Sequence, residues 1–425
     1  MKWKVKKSKL SGTINVPPSK SHTIRSMLVS SLANGTSYIS NVLTSGDGAS
    51  AISAAKNLGA RVVILNNNAE VTGIGLNFTN IADFFNMENS GTATNLFSAA
   101  VSLCSKRVWF DGDSSLRLRP FKPLLEALKN LGANFGFKVE KRDLPFWICG
   151  PIKGGKTTVN GFSSQFVSAL LFSCPCALHD TEIIVENLHE KPYVEMTLNW
   201  LDRQQIKYEA SRDLTFFKIY GNQHYKAFEY FIPGDFSSAT FGAVAAPLLN
   251  TILCLKGLDF SDSQGDKRIF DILEMLGAKV DKKSNEAIVN GKCSLKGNVI
   301  DLNSMPDALP AISVLGCVCD GETQIVNVAQ ARIKETDRIS VMTCELKKMG
   351  ANILETKDGL IIRKSNLKGA FVNGHNDHRV VMALALAGMI ADGETIIDTA
   401  ESASVTYPTF YDDFKAIGAN IEIIE

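Results

Sequence analysis

The chain of 425 residues carries 45 Lys and Arg against 44 Asp and Glu, a net charge of +1. That length exceeds one ordinary hydrophobic core, so two domains are expected, and the balanced charge argues against a nucleic-acid partner or a polybasic membrane protein. No apolar run reaches spanning length, the start MKWKVKKSKLSG lacks the apolar stretch of a signal peptide, and the nine cysteines form no CxxC pair, so a cytoplasmic protein with reduced thiols is expected.

Two helix types alternate along the chain. A helix of small and apolar residues opens at Ser21, in SKSHTIRSMLVSSLA, and an amphipathic helix then stops at Gly59, in NLGARVVI, and runs into the strand RVVIL. The pair recurs with an opening at Ser90 (NSGTATNLFSAAVSL) and a stop at Gly132 (NLGANFGF). The third pair opens at Ser163 (SSQFVSALLFSCPCAL) and ends without glycine in RQQIKYEA, aligned at Ile206. The last three open at Ser237, Asp307 and Asp377 and stop at Gly277 (MLGAKVDK), Gly350 (KMGANILE) and Gly418 (AIGANIEI). A period of about 70 residues repeated six times points to six copies of one supersecondary unit. Gly after each helix supplies a left-handed C-cap. The first helix type is apolar nearly all round, which predicts burial. The short alternating segments RVVIL, KVDKK and AIVNG read as strands. An α plus β build follows, with three units in each of two globules.

Six buried helices with polar openings present unpaired N–H groups and partial positive charge, a setting that attracts anions. The openings hold the reactive side chains. Lys20, Ser21 and Arg25 stand at the first, and Asn89, Ser90, Gly91 and Thr92 at the second, where Gly permits close backbone approach. Arg117 and Arg119 precede FKPLLEAL. Ser163, Ser164 and Gln165 form the third opening, a donor set suited to phosphate or carboxylate. Asp307 follows Pro306. RIKETDR, from Arg332 to Arg338, reads as a helix start with Lys334 and Arg338 on one face beside Glu335. Asp377, His378 and Arg379 open the last helix. Each group alone reads as a cap or a solvated charge. Several Arg and two Lys together suit a ligand with more than one acidic group. The six His are scattered without metal-ligand spacing, and no Gly-rich nucleotide loop occurs.

The runs PPSKSHTIR, NSGT, LRP, SSQF, EKPY, PGDFSSA, QGD, MPDA, RIKETDR, NDHR and YPTF, in that order and spacing, resemble the enolpyruvyl transferases, and among them the branch that uses shikimate 3-phosphate. The resemblance extends from about Ser11 to Phe414, and RIKETDR with NDHR and SKS is its specific part. It implies an α/β (α+β) fold of two globular domains, each of three βαβαββ repeats in an inverse α/β-barrel-like arrangement. Two crossovers join them, and the active site lies in the cleft between. The implied domains are residues 1–18 with 233–425, and residues 19–232. The implied reaction moves the enolpyruvyl group of phosphoenolpyruvate to the 5-hydroxyl of shikimate 3-phosphate and releases phosphate, on the route to chorismate and the aromatic amino acids. It needs neither metal nor cofactor. The expected partners are these two small molecules, with no nucleic acid and no membrane, and the expected state is a monomer.

The same resemblance assigns roles. Lys20, Gly91, Arg119, Gln165, Arg338 and Arg379 are the implied phosphoenolpyruvate residues. Lys20, Ser21, Arg25, Ser163, Ser164, Gln165, Tyr193, Asp307 and Lys334 are implied for shikimate 3-phosphate. Asp307 is the implied base, Glu335 the implied acid, and Lys20 its helper. Addition to the vinyl group needs a proton delivered to carbon while an oxygen nucleophile loses one, so two groups in opposed protonation states suit it. Two positions depart from the family pattern. Asn95 stands where the second motif usually ends in Arg, and Glu190 stands where a Ser usually precedes KPY. They motivate an alternative, transfer to a different hydroxylated acceptor. The sister branch that acts on UDP-N-acetylglucosamine carries a loop Cys where this chain has Ser114.

Overall fold

The computed structural model describes residues 1–425. Twelve α-helices run in chain order: α1 Lys20–Leu32, α2 Gly46–Leu58, α3 Gly91–Val101, α4 Lys122–Asn130, α5 Ser164–Ser173, α6 Lys191–Arg203, α7 Phe236–Leu248, α8 Ile269–Leu276, α9 Leu309–Gly316, α10 Arg338–Lys348, α11 His378–Ile390 and α12 Phe410–Ala416. The odd-numbered helices are the small-residue type. Every residue of α7 and α9 is buried, and all of α11 but Ile390, as their uniform apolarity requires. The even-numbered helices bury one face only; α4 buries Leu124, Leu125, Ala127 and Leu128.

The strands form six four-stranded sheets with one shared topology. Gly155–Asn160 pairs in parallel with Thr181–Glu186 across α5. Phe216–Ile219 then pairs antiparallel with Thr181–Glu186, and Tyr208–Ala210 antiparallel with Phe216–Ile219. This is a βαβαββ unit. Three of the six units borrow a strand from far along the chain. Gly12–Asn15 lies parallel to Ile252–Lys256 and serves as first strand of the unit holding α7 and α8. Glu229–Phe231 does the same for Thr36–Ser40 in the unit of α1 and α2. Lys2–Lys6 pairs with both Glu394–Asp398 and Asn420–Ile424, completing the unit of α11 and α12.

The chain accordingly divides into two compact units, Met1–Pro17 with Pro233–Glu425, and Pro18–Ile232. Each holds three repeats and its own apolar core. In the first, α7, α9 and α11 pack on one another pairwise; in the second, α3 packs on both α1 and α5.

The expected helix punctuation is met in part. Ser90, Ser163 and Asp377 are N-caps whose side chains accept from Ala93, Gln165 and Arg379 backbone N–H groups. The other three openings shift. Ser19, not Ser21, caps α1, and Asp235, not Ser237, caps α7, accepting from Ser238 at 2.8 Å. Asp307 lies in a 3₁₀ turn, Pro306–Ala308, ahead of α9. RIKETDR is not the expected helical face either: a 3₁₀ turn ends at Ile333, Lys334 to Thr336 are irregular, and α10 begins at Arg338 with Asp337 as cap. At the helix ends Gly59, Gly132, Gly277, Gly350 and Gly418 all have positive φ, as expected. The sixth left-handed residue is Gln205 (φ 58°), one place before the aligned Ile206.

Candidate active site

In the unit that includes the C-terminus, charged side chains meet at the openings of α7, α9, α10 and α11. Asp377 caps α11, and Asp337 caps α10 so that Arg338 starts it. Arg338 is 1% exposed and donates from all three nitrogens. Nε and Nη2 bond Asp377 at 2.8 and 3.2 Å, Nη1 bonds Asp307 at 2.8 Å, and Nη2 also bonds Glu335 at 2.6 Å. Arg379 Nη2 lies 2.9 Å from the other Asp307 oxygen, and its Nη1 donates to the Ser237 carbonyl at 3.4 Å. Lys334 Nζ stands 4.0 Å from Asp307. Three carboxylates thus face two guanidinium groups and one ammonium. The contacts of Arg379 with Ser237 and Asp307 bring the openings of α7 and α9 to that of α11.

Burial opposes charge on Arg338, yet Asp377, Glu335 and Asp307 hold its pKa well above the ordinary value. Burial likewise works against the Asp377 carboxylate, and Arg338 holds it below its usual range. His378 behaves differently. Burial, with Arg379 and Arg338 nearby, pushes it down to about 3, so its ring is neutral at physiological pH.

In the other unit three groupings stand at the openings of α1, α3 and α5. Lys20 Nζ pairs with Asp47 at 3.1 Å, an aspartate in the first turn of α2 that is 4% exposed. Gly91 begins α3 in close quarters: a Cβ there would lie 2.8 Å from Arg119 Nη1 and 3.6 Å from Gln165 Oε1. Arg119 Nη2 donates to Asn89 Oδ1, whose Nδ2 in turn donates to Asp113 at 2.6 Å. Asn95, one turn along α3, donates to Gln165 Oε1 at 2.9 Å. Arg117, by contrast, forms a bidentate pair with Asp111 at 2.8 and 2.6 Å, a local staple.

The third grouping surrounds Glu190. This residue is buried, sits in the left-handed region (φ 53°) at the N-cap of α6, and accepts from Ser164 Oγ at 2.7 Å. Tyr193 N–H donates to its carbonyl at 3.0 Å. Arg25, 2% exposed, donates to Thr197 Oγ1, to the Ser21 and Tyr193 carbonyls and to Ser168 Oγ. These four acceptors are neutral oxygens of α1, α5 and α6. The Ser163 hydroxyl serves as the cap of α5.

The expected site residues thus gather in two sets. Asp307, Lys334, Glu335, Arg338 and Arg379 form one network. Lys20, Ser21, Arg25, Gly91, Arg119, Ser163, Ser164, Gln165 and Tyr193 fall into the three groupings of the other unit. Two participants escape the sequence reading: Asp47 as partner of Lys20, and Asp377 as partner of Arg338 as well as cap. The short acidic turn SGDG (Ser45–Gly48) is the available signal for Asp47.

A family profile described as EPSP synthase (3-phosphoshikimate 1-carboxyvinyltransferase) matches residues 5–414. Among similar proteins, the 3-phosphoshikimate 1-carboxyvinyltransferase of Acetivibrio thermocellus is 47% identical over 425 residues and covered in full, as is this chain. That of Methanocaldococcus jannaschii is 39% identical over 423 residues, with 98% of each chain covered. The solved structure of EPSP synthase from Acinetobacter baumannii superposes with a TM-score of 0.83 at 25% identity, covering 100% of both chains.

Proposed function

The chain belongs to the EPSP synthase family, and we infer that it is a 3-phosphoshikimate 1-carboxyvinyltransferase of the shikimate pathway. It transfers the enolpyruvyl group of phosphoenolpyruvate to the 5-hydroxyl of shikimate 3-phosphate and releases phosphate. Transfer to a different hydroxylated acceptor is the weaker reading, because relatives 47% and 46% identical along almost their whole length carry the same name.

The observation that carries the mechanism is the network in which the buried Arg338 and Arg379 pair with Asp307 and Glu335. Lys20, Arg119, Arg338 and Arg379 hold the carboxylate and phosphate of phosphoenolpyruvate, with Gly91 against it and Gln165 beside it. Ser21 and Arg25 take the shikimate carboxylate. Ser163, Ser164, Tyr193 and Lys334 take its phosphate, and Gln165 the ring. This reading requires both sets of residues to serve one pair of substrates.

Without ligand, Asp307 is paired with two arginines, which makes a carboxylate a weak base. The anionic groups of phosphoenolpyruvate compete for those same guanidinium donors. Once they occupy Arg338 and Arg379, Asp307 is left to accept the proton of the 5-hydroxyl. Glu335, relieved of Arg338, is left to carry a proton to the CH2 carbon, with Lys20 assisting. The hydroxyl oxygen bonds to C2 as the proton arrives at C3. Loss of a proton from the new methyl group and departure of phosphate then restore the double bond. Positive charge developing at C2 is stabilised by the carboxylates of the site. The reading calls for no metal and no cofactor.

Asp307→Asn tests it. Turnover should fall by about 10²–10⁴-fold, the range for a lost general base, with phosphoenolpyruvate binding kept; unchanged turnover would contradict the assignment. We further take residues 1–18 with 233–425 and residues 19–232 as the domains. We take the working state as a cytoplasmic monomer, which light scattering and cell fractionation check. No helix is long and apolar enough to cross a membrane.

A further inference from the structure

Asn95 is 2% exposed, and its amide is held in one orientation. Nδ2 donates to the Gly91 carbonyl at 2.9 Å and to Gln165 Oε1 at 2.9 Å. Turning the amide over would set Oδ1 against both of those oxygens, which are acceptors only. The present orientation leaves Oδ1 buried without a partner. Such a group costs free energy, so the two donated bonds must offset it.

The consequence falls on Gln165. Its Oε1 is taken by Asn95, so Nε2 is the end of the amide left to donate. The same Oε1 would lie 3.6 Å from a Cβ placed on Gly91, and Arg119 Nη1 2.8 Å from it. A Gln165 amide turned the other way would offer an oxygen to an anion, in place of two N–H donors.

We propose that Asn95 is a positioning residue that orients the Gln165 side-chain amide as a donor toward the anionic and hydroxyl groups of the substrates. The inference rests on the reading above, in which Gln165 touches them. Arg, which usually fills this place in the family, would bring a charge to the same position; Asn brings only a donor.

A double-mutant cycle of Asn95→Asp with Gln165→Leu tests it. Asp keeps the shape of Asn but can only accept, so Gln165 must turn its Nε2 inward and present Oε1 outward. Asn95→Asp alone should raise KM for phosphoenolpyruvate about tenfold, the size of one hydrogen bond to a charged group, and change kcat far less. In the Gln165→Leu background the same substitution should add nothing to KM. Thermal unfolding of each variant separates this from a loss of fold. An equal rise in both backgrounds would mean that Asn95 acts on the fold and not through Gln165, and an unchanged KM in the single variant would also overturn the proposal. A wild type that releases no phosphate with shikimate 3-phosphate contradicts the functional reading instead; the cycle is then read from calorimetric binding of phosphoenolpyruvate alone, with the same expectations. Absence of that binding as well would overturn both.

Discussion

Glu190 places a buried carboxylate on the hydroxyl of Ser164, one of the groups proposed to hold the acceptor phosphate. A phosphate arriving there meets a like charge, and like-charge juxtaposition is costly. Glu190→Ser should therefore lower KM for shikimate 3-phosphate about tenfold and leave that for phosphoenolpyruvate unchanged, as steady-state kinetics with each substrate varied will read. A higher KM would mean that the carboxylate orients Ser164 for the phosphate. His378 makes a second prediction. Its burial holds the folded-state pKa near 3 against an ordinary 6.5. The neutral ring is thus fully compatible with folding above pH 6.5, and stability is lost as pH falls from there toward 3. Between pH 7 and 5 the wild type should lose about 2 kcal/mol more than His378→Gln, measured by denaturant unfolding at both pH values; equal losses would contradict it. At this scale the sequence shows which residue types carry chemistry, since Lys, Arg and Ser crowd the helix openings. It does not show their pairings. Lys20 with Asp47 and Arg338 with Asp377 join positions far apart in the chain, and no local pattern marks such pairs.

Helix ends were legible wherever glycine marks them, because only Gly takes the left-handed C-cap without strain. In the copy lacking glycine the turn falls one residue before the aligned Ile206, since nothing in RQQIKYEA announces that Gln205 takes it. The left-handed positions, with Gln205 restored, are spaced 73, 73, 72, 73 and 68. Gln205→Gly should stabilise the fold by about 1 kcal/mol, the order of the left-handed penalty, losing only an exposed hydrogen bond from Lys226. Gly277→Ala should destabilise by about 1–3 kcal/mol, since its new Cβ would also lie 3.0 Å from the Ser294 carbonyl. Thermal unfolding of the pair reads both signs, and a destabilised Gln205→Gly would contradict the strain argument. Local pattern misled at the site itself. RIKETDR has helical spacing, yet Glu335 and Thr336 are drawn to the buried Arg338 and Asp377 and the backbone there leaves the helix. Asp307 was expected to open a helix. With Pro310 near its start, α9 begins instead at Leu309, and Asp307 in the preceding turn turns its carboxylate to Arg338 and Arg379.

A period of about 70 residues led to six repeats and two globules, and six sheets of one topology now carry it. The strands that close three of those sheets were not assignable, because Lys2–Lys6, Gly12–Asn15 and Glu229–Phe231 lie outside the repeat to which they belong. Net charge was equally uninformative about the site. A molecule of charge +1 pairs the buried Arg338 and Arg379 with its own carboxylates, so a demand for anionic substrates is concealed until the pairs are seen. That internal pairing is the centre of the proposed mechanism, in which substrate anions displace Asp307 and Glu335 from their arginines, so that Asp307 takes the proton of the acceptor hydroxyl and Glu335 delivers one to the CH2 carbon of phosphoenolpyruvate. Phosphate release from phosphoenolpyruvate by the purified protein tests it most directly, measured alone, with shikimate 3-phosphate, and with shikimate lacking the phosphate. Release that requires shikimate 3-phosphate is the predicted result. Release without any acceptor, or none with shikimate 3-phosphate present, would contradict it.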